Sequence, residues 1–280
     1  MAKIRNVTLA ILSDMHTGGS TALFTPTIFE GTHQTAAPNK MQKIIRPVFV
    51  RYCGEVAKAR KGRDLIVVML GDALDGFHHN SIQESLFSIN DQRDAHEQIM
   101  REFLKRVGYR RGGDELHYIR GTESHVGETE NELGKIMGAT KNQFSGLYAS
   151  DVLMLAINGT NHLFLHHGKA RGDGANEGNA LRNWLRNNYY DRQKDKQPII
   201  DVYWSGHTHG HTWVTYQTRG QDGNFHVSHG IIAPSWQAKT RWAYGKMPQA
   251  VNSVGGVCMN IDADGTIHRP NFVVMTTPEI

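Results

Sequence analysis

The chain has 280 residues, of which 39% are hydrophobic and 21% are charged, proportions that are ordinary for a water-soluble globular protein. No apolar run reaches the roughly 18 residues that cross a bilayer, and the first residues contain no signal-peptide core. We therefore predict a cytoplasmic protein without a membrane partner. The net charge of +4 permits a polyanionic partner without requiring one.

Cysteine is scarce and histidine is abundant. Cys53 and Cys258 are far apart and outside any CxxC spacing, so we predict a reduced compartment and no structural disulfide. The chain is long enough to bury a full core, and we predict one domain over residues 1–280. Six of the 16 histidines lie in the strand-end motifs described below. This grouping makes metal binding the first hypothesis.

Strands and helices alternate in the first half of the chain. Apolar runs at 7–13 and 64–69 predict buried strands, and apolar residues at helical spacing predict helices over 39–60 and 90–107. A long loop rich in glycine and threonine occupies residues 14–38, and such loops are usually functional or disordered. The β, α, β, α order favours a layered α/β architecture.

The second half is richer in strands. Runs at 151–157 and 162–165 flank Asn158-Gly159, a strong turn signal, and predict a hairpin. The remaining predicted elements are strands at 116–120, 199–204, 212–218, 225–232, 256–261 and 267–275, and helices at 128–137 and 180–190.

Residues of the types that bind metals follow five of the predicted strands. Asp72 comes directly after the run at 64–69, where a buried strand opens into a loop. An ionised carboxylate there needs a cation, a donor or a metal to offset its desolvation. Carboxylates mixed with imidazoles are the ligand set of a two-metal site for Mn, Fe, Zn or Ni. The motifs are Asp14-Met15-His16, Gly71-Asp72-Ala73-Leu74-Asp75, Gly121-Thr122-Glu123-Ser124-His125, His166-His167-Gly168 and Gly206-His207-Thr208-His209.

In this order the motifs resemble the DxH, GDxxD, GNH, H and GHxH pattern of the calcineurin-like metallophosphoesterase superfamily, over about residues 7–209. The resemblance implies an α/β (α+β) fold of four layers, in which helices flank a two-sheet β-sandwich. It also implies a dinuclear metal centre and the hydrolysis of phosphate esters. Mn²⁺ is the favoured ion, with Fe, Zn, Ni or Mg as alternatives.

The resemblance also implies a role for each candidate residue. A hydroxide shared by the two metals would attack phosphorus, and His125 would donate a proton to the leaving oxygen. Asp75 would orient the ligands from behind. The implied ligands are Asp14, His16 and His209 for one metal, His167 and His207 for the other, and Asp72 for both.

The third motif departs from the superfamily pattern. It has two extra residues and no asparagine before His125, a form that resembles phage and bacterial members. Glu123 is the only strong ligand type available in this motif. Our hypothesis is that Glu123 replaces the asparagine on the second metal. The alternative is that the second site is weak or open and that Glu123 pairs with Arg120.

Further histidines lie beside the motifs. Successive side chains of a strand face opposite ways, so we expect only one of His166 and His167 to bind metal. His167 precedes a glycine, as in the superfamily, and is our choice, which leaves His166 as a packing or hydrogen-bonding residue. His78 is a candidate for contacting substrate from the rim of the site, and the alternative is a solvated loop histidine.

The substrate is less clearly marked than the metal site. Residues 168–196 contain seven lysines and arginines against four acids, with Trp184, Tyr189 and Tyr190 among them. Such a segment can follow a nucleic-acid backbone and stack on its bases, and the alternative is a solvated helix face. We favour a phosphodiesterase that acts on DNA, RNA or nucleotides, which includes a nuclease.

Two other functions stay open. A phosphomonoesterase, including a protein phosphatase, would bind the terminal phosphate oxygens through rim arginines, for which Arg120 and Arg171 are the candidates. A catalytically silent protein that grips phosphate through a bound metal would follow if the second metal site is empty. Two ions per chain would support an enzyme, and one or none would support the binding protein.

Overall fold

The computed structural model describes residues 4–28, 35–77, 84–86, 88–123, 128–220, 223–246 and 251–276. Two β-sheets pack against each other, and helices cover their outer faces. The predicted α/β class is confirmed. The described elements are β1 (Val7–Leu12), β2 (Thr27–Ile28), β3 (Thr35–Ala36), α1 (Lys40–Ala59), β4 (Asp64–Leu70), α2 (Ile89–Arg106), β5 (Glu115–Ile119), α3 (Thr129–Met137), β6 (Ala149–Ser150), β7 (Val152–Ile157), β8 (Thr160–Leu165), α4 (Asn179–Lys194), β9 (Val202–Ser205), β10 (Thr212–Arg219), β11 (Phe225–Ile232), α5 (Arg241–Lys246), β12 (Ser253–Ile261) and β13 (Asn271–Thr276).

The strand order brings the candidate loops to one edge. The first sheet has the order β13-β12-β1-β4-β5-β6, and the second has the order β10-β11-β9-β8-β7. β1, β4 and β5 run parallel to one another, as do β8 and β9. The carboxyl ends of parallel strands meet at the same edge of a sheet, which is where ligands gather in open α/β sheets.

The core lies in three layers of apolar side chains. Between the sheets, Ile11 and Val68 of the first sheet belong to the same buried cluster as Trp204 of the second. Helices α1 and α2 cover the other face of the first sheet, where Phe49 and Phe103 are fully buried. Helix α4 covers the outer face of the second sheet through side chains that include Leu181 and Leu185. Strands buried on both faces read as continuous apolar runs, and this is why they are visible in the sequence.

Local signals account for several boundaries. Helix α1 begins after Asn39, whose side chain accepts from the N–H of Gln42 (3.0 Å) while Gln42 Oε1 accepts from the N–H of Asn39 (2.9 Å). This capping box satisfies two donors at the helix start. The hairpin β7–β8 turns at Asn158 and Gly159, whose φ angles of 49° and 86° are those that an Asn-Gly turn favours.

Other boundaries differ from the sequence prediction. The strand predicted at 267–275 begins only at Asn271, and before it Ile267 makes an isolated bridge with Ile261. Pro270 lacks the N–H that a paired strand would donate. The prediction missed β2, β3, β6 and α5, because elements of two to six residues carry too little periodicity.

Two further findings concern the described residues. None of their helices is both long enough and apolar enough to cross a membrane. Cys53 and Cys258 are buried free thiols, and burial raises the pKa of each to about 12.

Candidate metal centre

Five loops that carry the candidate residues are fixed to one another. The N–H of Asp14, after β1, donates to the carbonyl of Gly71, after β4 (3.0 Å). In the second sheet, the N–H of Gly206, after β9, donates to the carbonyl of His166, after β8 (3.1 Å). The pairing of the strands therefore continues into the loops, and their side chains converge.

Unusual backbone conformations concentrate in these loops. Among the described residues, seven that are not glycine have positive φ, and five of the seven belong to the motifs. Such residues cost roughly 1–3 kcal/mol each and persist where the surrounding structure holds them. The five are Asp14 (50°), His16 (42°), Asp72 (52°), His207 (67°) and His209 (53°).

Asp14, His16 and His209 form one cluster, here called the carboxylate group. Asp14 and His16 are buried, and a quarter of the His209 side chain is exposed. His209 Nε2 lies 3.3 Å from Asp14 Oδ1, and His16 Nε2 lies 3.2 Å from His209 Nε2. Two imidazole lone pairs repel at this distance unless a proton or another cation lies with them. The convergence of these atoms suits a bound cation.

Buried side chains behind His16 fix its ring. His16 Nδ1 lies 3.3 Å from Asp75 Oδ1, and the same Asp75 oxygen accepts a hydrogen bond from Gln237 Nε2 (3.0 Å). A carboxylate partner keeps the proton on Nδ1 and directs Nε2 into the cluster, an arrangement typical of metal-binding histidines. Asp75 therefore lies behind the site. The sequence analysis missed Gln237, which belongs to no motif.

His166, His167 and His207 form a second cluster, here called the histidine group. The ring centroids of His167 and His207 are 4.3 Å apart, and those of His166 and His207 are 5.2 Å apart. His166 is buried, whereas the other two are exposed. This cluster contains no carboxylate of its own.

His166 and His167 both face the site, although the alternation of side chains along a strand predicted that only one of them would bind metal. Strand β8 ends at Leu165, so both residues lie past the strand and its alternation does not apply. Nitrogen atoms of both belong to a cluster whose members lie within 4.8 Å of one another. His166 Nδ1–H donates to the carbonyl of Leu70 (2.8 Å), and Nε2 lies 3.1 Å from Asp72 Oδ2. The sequence signal was the histidine pair itself at a strand end.

Asp72 lies between the two groups. Its Oδ2 is 3.6 Å from His16 Nε2 and 3.1 Å from His166 Nε2, and it forms a third cluster with Asp14 and His166. Only 1% of Asp72 is exposed. One buried carboxylate thus contacts a histidine of each group.

Glu123 does not lie where the sequence analysis placed it. Its side chain is exposed, and it belongs to none of the three clusters found among the described residues. Thr122 faces the site instead, and its N–H donates to Asp72 Oδ1 (2.6 Å). A Cβ on Gly121 would overlap the backbone N of Asp72, so glycine alone permits this close approach. Asp72 holds Thr122 inward, and the adjacent Glu123 side chain points to solvent.

Glu130, in the first turn of α3, connects two of the loops. Its side chain is fully buried, Oε1 accepts from the N–H of Ala73 (2.9 Å), and Oε2 accepts from the N–H of Gly121 (2.5 Å). Burial, and then the negative charge of Asp72, raises the pKa of Glu130 to about 7. Sequence reasoning missed this residue, because a glutamate at a helix start is usually a solvated partner of the helix dipole.

The charges of the centre balance one another. Burial tends to raise the pKa of Asp14, but His166 and His209 lower it to about 2. Burial tends to lower the pKa of His166, but Asp14 and Asp72 raise it to about 10. Burial and the nearby His166 lower the pKa of His207. The two buried carboxylates and the His166 ring therefore stabilise opposite charges on one another, whereas the surroundings of His207 disfavour its charged form.

Glutamates hold the two candidate rim arginines. Arg120 Nη2 donates to Glu128 Oε2 (2.7 Å), and Arg171 Nη2 lies 3.3 Å from Glu177 Oε2. Neither guanidinium stands as an unpaired cation at the site. Outside the described residues lie two further candidates, His78 and His125.

The aromatic residues of α4 are mostly part of the core. Trp184 packs on Tyr203 with ring centroids 4.3 Å apart, and Tyr189 is buried. Tyr190 is 52% exposed. Tyr189 is therefore covered, and one face of the partly buried Trp184 is occupied by Tyr203. The exposed cations of this segment are Lys169, Arg182, Arg186, Lys194 and Lys196.

The donors of both groups fit divalent metal ions. Each group offers three ligand atoms within 4.8 Å of one another, and Asp72 lies between the groups. Carboxylate oxygens together with imidazole nitrogens suit Mn, Fe, Ni and Zn. The rings of His16 and His166 are each anchored through Nδ1, which directs Nε2 inward. The residues present thus suit two adjacent ions.

No protein-family model matches the chain, and no curated protein is significantly similar to it. Among solved structures, it is similar to Vps29 of Entamoeba histolytica complexed with Zn²⁺, with 12% identity, 95% of this chain and 99% of that chain covered, and a TM-score of 0.35. It is also similar to Vps29 of Chaetomium thermophilum, with 10% identity, 97% of this chain and 99% of that chain covered, and a TM-score of 0.34. The sulfate thiohydrolase SoxB of Thermus thermophilus in complex with glycerol is similar with 12% identity and a TM-score of 0.39. The match covers 96% of this chain and 56% of SoxB, so it spans about half of SoxB.

Proposed function

We propose that the chain is a dinuclear metal-dependent phosphoesterase of the calcineurin-like metallophosphoesterase superfamily. The observation that carries this proposal is the pair of adjacent clusters, joined by Asp72, at the edge where the five motif loops meet. Four of the five short motifs, which follow the superfamily order, supply these residues. A lone aspartate after a strand has little weight, whereas five such loops in contact have a great deal.

In this proposal each group holds one ion, and Asp72 contacts both. Two divalent ions, when bound, supply positive charge to the phosphate oxygens and lower the pKa of a water molecule. Asp75 keeps the His16 ring turned inward, and the Leu70 carbonyl does the same for His166. His125 is our proposed proton donor to the leaving oxygen, on the strength of its place in the third motif.

We favour phosphodiesters of nucleic acids or nucleotides as substrates. A monoester presents more negative charge than a diester, and enzymes that bind it commonly use an unpaired arginine. Arg120 and Arg171 are each committed to a glutamate, which supports a diester. The exposed cations within residues 168–196 support a polyanionic substrate.

The test is hydrolysis of bis-(p-nitrophenyl) phosphate and of p-nitrophenyl phosphate, with Mn²⁺ and with a chelator. We expect metal-dependent cleavage with preference for the diester. His209→Ala should lower the rate by about 10³-fold or more, because the loss of an ion removes several kcal/mol of charge stabilisation.

His226→Ala is the matched control. His226 Nε2 lies 3.7 Å from Asp201 Oδ1 and the side chain is 22% exposed, close to the 3.3 Å and 25% of the His209–Asp14 pair. His226 lies on β11, outside the motif loops, so its variant should keep the native rate. Preference for the monoester would favour the phosphatase. Hydrolysis of neither substrate by a chain that holds its metal would favour a phosphate-binding protein or a very selective enzyme.

A further inference from the structure

The two groups differ in the oxygen donors that surround them. The carboxylate group contains Asp14, whereas the histidine group has imidazole nitrogens and shares Asp72. Divalent ions of the manganese type prefer some oxygen among their ligands. The question is which residue beside the histidine group offers one.

Thr122 reaches the histidine group with its hydroxyl. Its Oγ1 lies 3.5 Å from His167 Nε2 and donates to Asp72 Oδ2 (3.3 Å). The backbone N–H of Thr122 donates to the other oxygen of Asp72 (2.6 Å). Two hydrogen bonds to one carboxylate fix the threonine, and its hydroxyl oxygen lies within 3.5 Å of His167 Nε2.

The loop around Thr122 is built for this approach. Gly121 lies so close to Asp72 that a side chain there would overlap its backbone, and buried Glu130 accepts the N–H of Gly121 (2.5 Å). Glu123, the next residue, is exposed. The position of the hydroxyl therefore follows from a fixed backbone and not from a mobile side chain.

We propose that the Thr122 hydroxyl is the neutral oxygen ligand of the ion held by the histidine group. This inference rests on the proposed function, because it assumes that each group binds an ion. It assigns a neutral oxygen to the second ion, where the first ion has the carboxylate of Asp14. The second ion is consequently bound more weakly than the first.

The experiment is a titration of the metal-stripped full-length chain with Mn²⁺, in which electron paramagnetic resonance measures the unbound ion. The native chain should bind two ions in separate steps. Thr122→Val keeps the shape of the side chain and the backbone N–H, and should weaken the second step by at least about tenfold while leaving the first within about twofold. Thr122→Ser, which keeps the hydroxyl, should restore the second step.

Thr160→Val is the matched control. Its hydroxyl also lies next to a histidine nitrogen, His162 Nε2 (2.9 Å), but at the hairpin end of β8, opposite to the histidine group. Both binding steps should stay native in this variant. Thr122→Asp supplies a test in the other direction, because an added carboxylate should tighten the second step.

Three outcomes would overturn the inference. If Thr122→Val weakens both steps equally, the hydroxyl acts only by orienting Asp72, and if both steps stay native the hydroxyl has no part in metal binding. In either case two bound ions and hydrolysis by the native chain would leave the proposed function standing. Fewer than two ions in the native chain would overturn the inference together with the proposed function.

Discussion

The two groups of the centre share Asp72 but are built differently. The carboxylate group is mostly buried. Behind His16 lies buried Asp75, and behind Asp75 lies buried Gln237. The histidine group is exposed at His167 and His207. Burial with a fixed set of partners favours one geometry, whereas exposed rings adapt and lose more freedom when they bind.

This difference would give the two groups unequal affinities for metal ions. The carboxylate group has an anion of its own, Asp14, and Asp75 lies against its His16 ring. The histidine group has no carboxylate of its own and depends on the shared Asp72 for negative charge. We therefore expect the first ion to bind the carboxylate group and the second to be the one that exchanges.

Asp72→Asn should weaken metal binding by both groups. The substitution keeps the size of the side chain but removes the charge that contacts His16 and His166. We expect phosphodiester hydrolysis to fall by about 10³-fold or more, and both binding steps to weaken, because several kcal/mol of charge stabilisation depend on this group. Hydrolysis assays and Mn²⁺ titration measure the two effects.

Asp201→Asn is the control for that variant. Like Asp72, Asp201 accepts a backbone N–H, from Asn161 (2.7 Å), and lies near a histidine, His226 (3.7 Å). It lies just before β9, at the end of the second sheet away from the motif loops. Native metal binding in Asp72→Asn would contradict the shared role of this carboxylate.

Asp75→Asn should weaken metal binding by the carboxylate group and leave metal binding by the histidine group almost unchanged. Asp75 lies 3.3 Å from His16 of the carboxylate group, and the same oxygen accepts a hydrogen bond from Gln237. Partners behind metal-binding histidines typically contribute 10–100-fold in affinity, so we expect the first binding step to weaken by about that factor. The second step should stay within about threefold in the same Mn²⁺ titration.

The control is Asp262→Asn, which alters another aspartate that contacts a histidine. Asp262 lies 2.7 Å from His268 Nε2, on the first sheet after β12 and outside the motif loops. Equal weakening of both steps by Asp75→Asn would show that the two groups do not act separately.

Glu130→Gln should affect both groups through the backbone. An amide cannot accept from both Ala73 N–H and Gly121 N–H, so one buried donor loses its partner. We expect the free energy of unfolding of the metal-free protein to fall by about 1–3 kcal/mol in urea denaturation. Glu132→Gln, an exposed glutamate of the same helix paired with Arg93 (3.1 Å), should change it by about 0.5 kcal/mol or less. A Glu130→Gln variant as stable as the control would argue against the role of Glu130 in holding the loops of Ala73 and Gly121 together.

The parts of the centre that the sequence predicted are those that depend on local pattern. Continuous apolar runs mark β1 and β4, and Asp14 and Asp72 follow directly. The parallel order of these strands then brings their ends together. The turn at Asn158 was likewise predicted, because turn chemistry involves neighbours in the chain.

The rest depends on contacts between distant residues. Gln237 reaches Asp75 across 162 positions of the chain, and Glu130 joins loops 57 and 9 positions away. The exchange of Glu123 for Thr122 arises because Thr122 donates to Asp72, 50 positions earlier. No spacing rule contains such contacts, so residue type alone favoured the stronger ligand, Glu123, over the residue that faces the site.

Arg171→Gln should have the smallest effect. The guanidinium lies 3.3 Å from Glu177 and its side chain is 21% exposed, so this partly exposed pair contributes about 1 kcal/mol or less to stability. If the arginine serves the loop and not the phosphate, diester hydrolysis should stay within about twofold of native, as it should in Arg63→Gln, whose pair with Asp262 is similarly exposed. A selective loss of monoester hydrolysis, by about tenfold or more, would instead show that Arg171 leaves Glu177 for substrate. Arg171 would then bind the phosphate of a monoester, and the diester preference would lose its support.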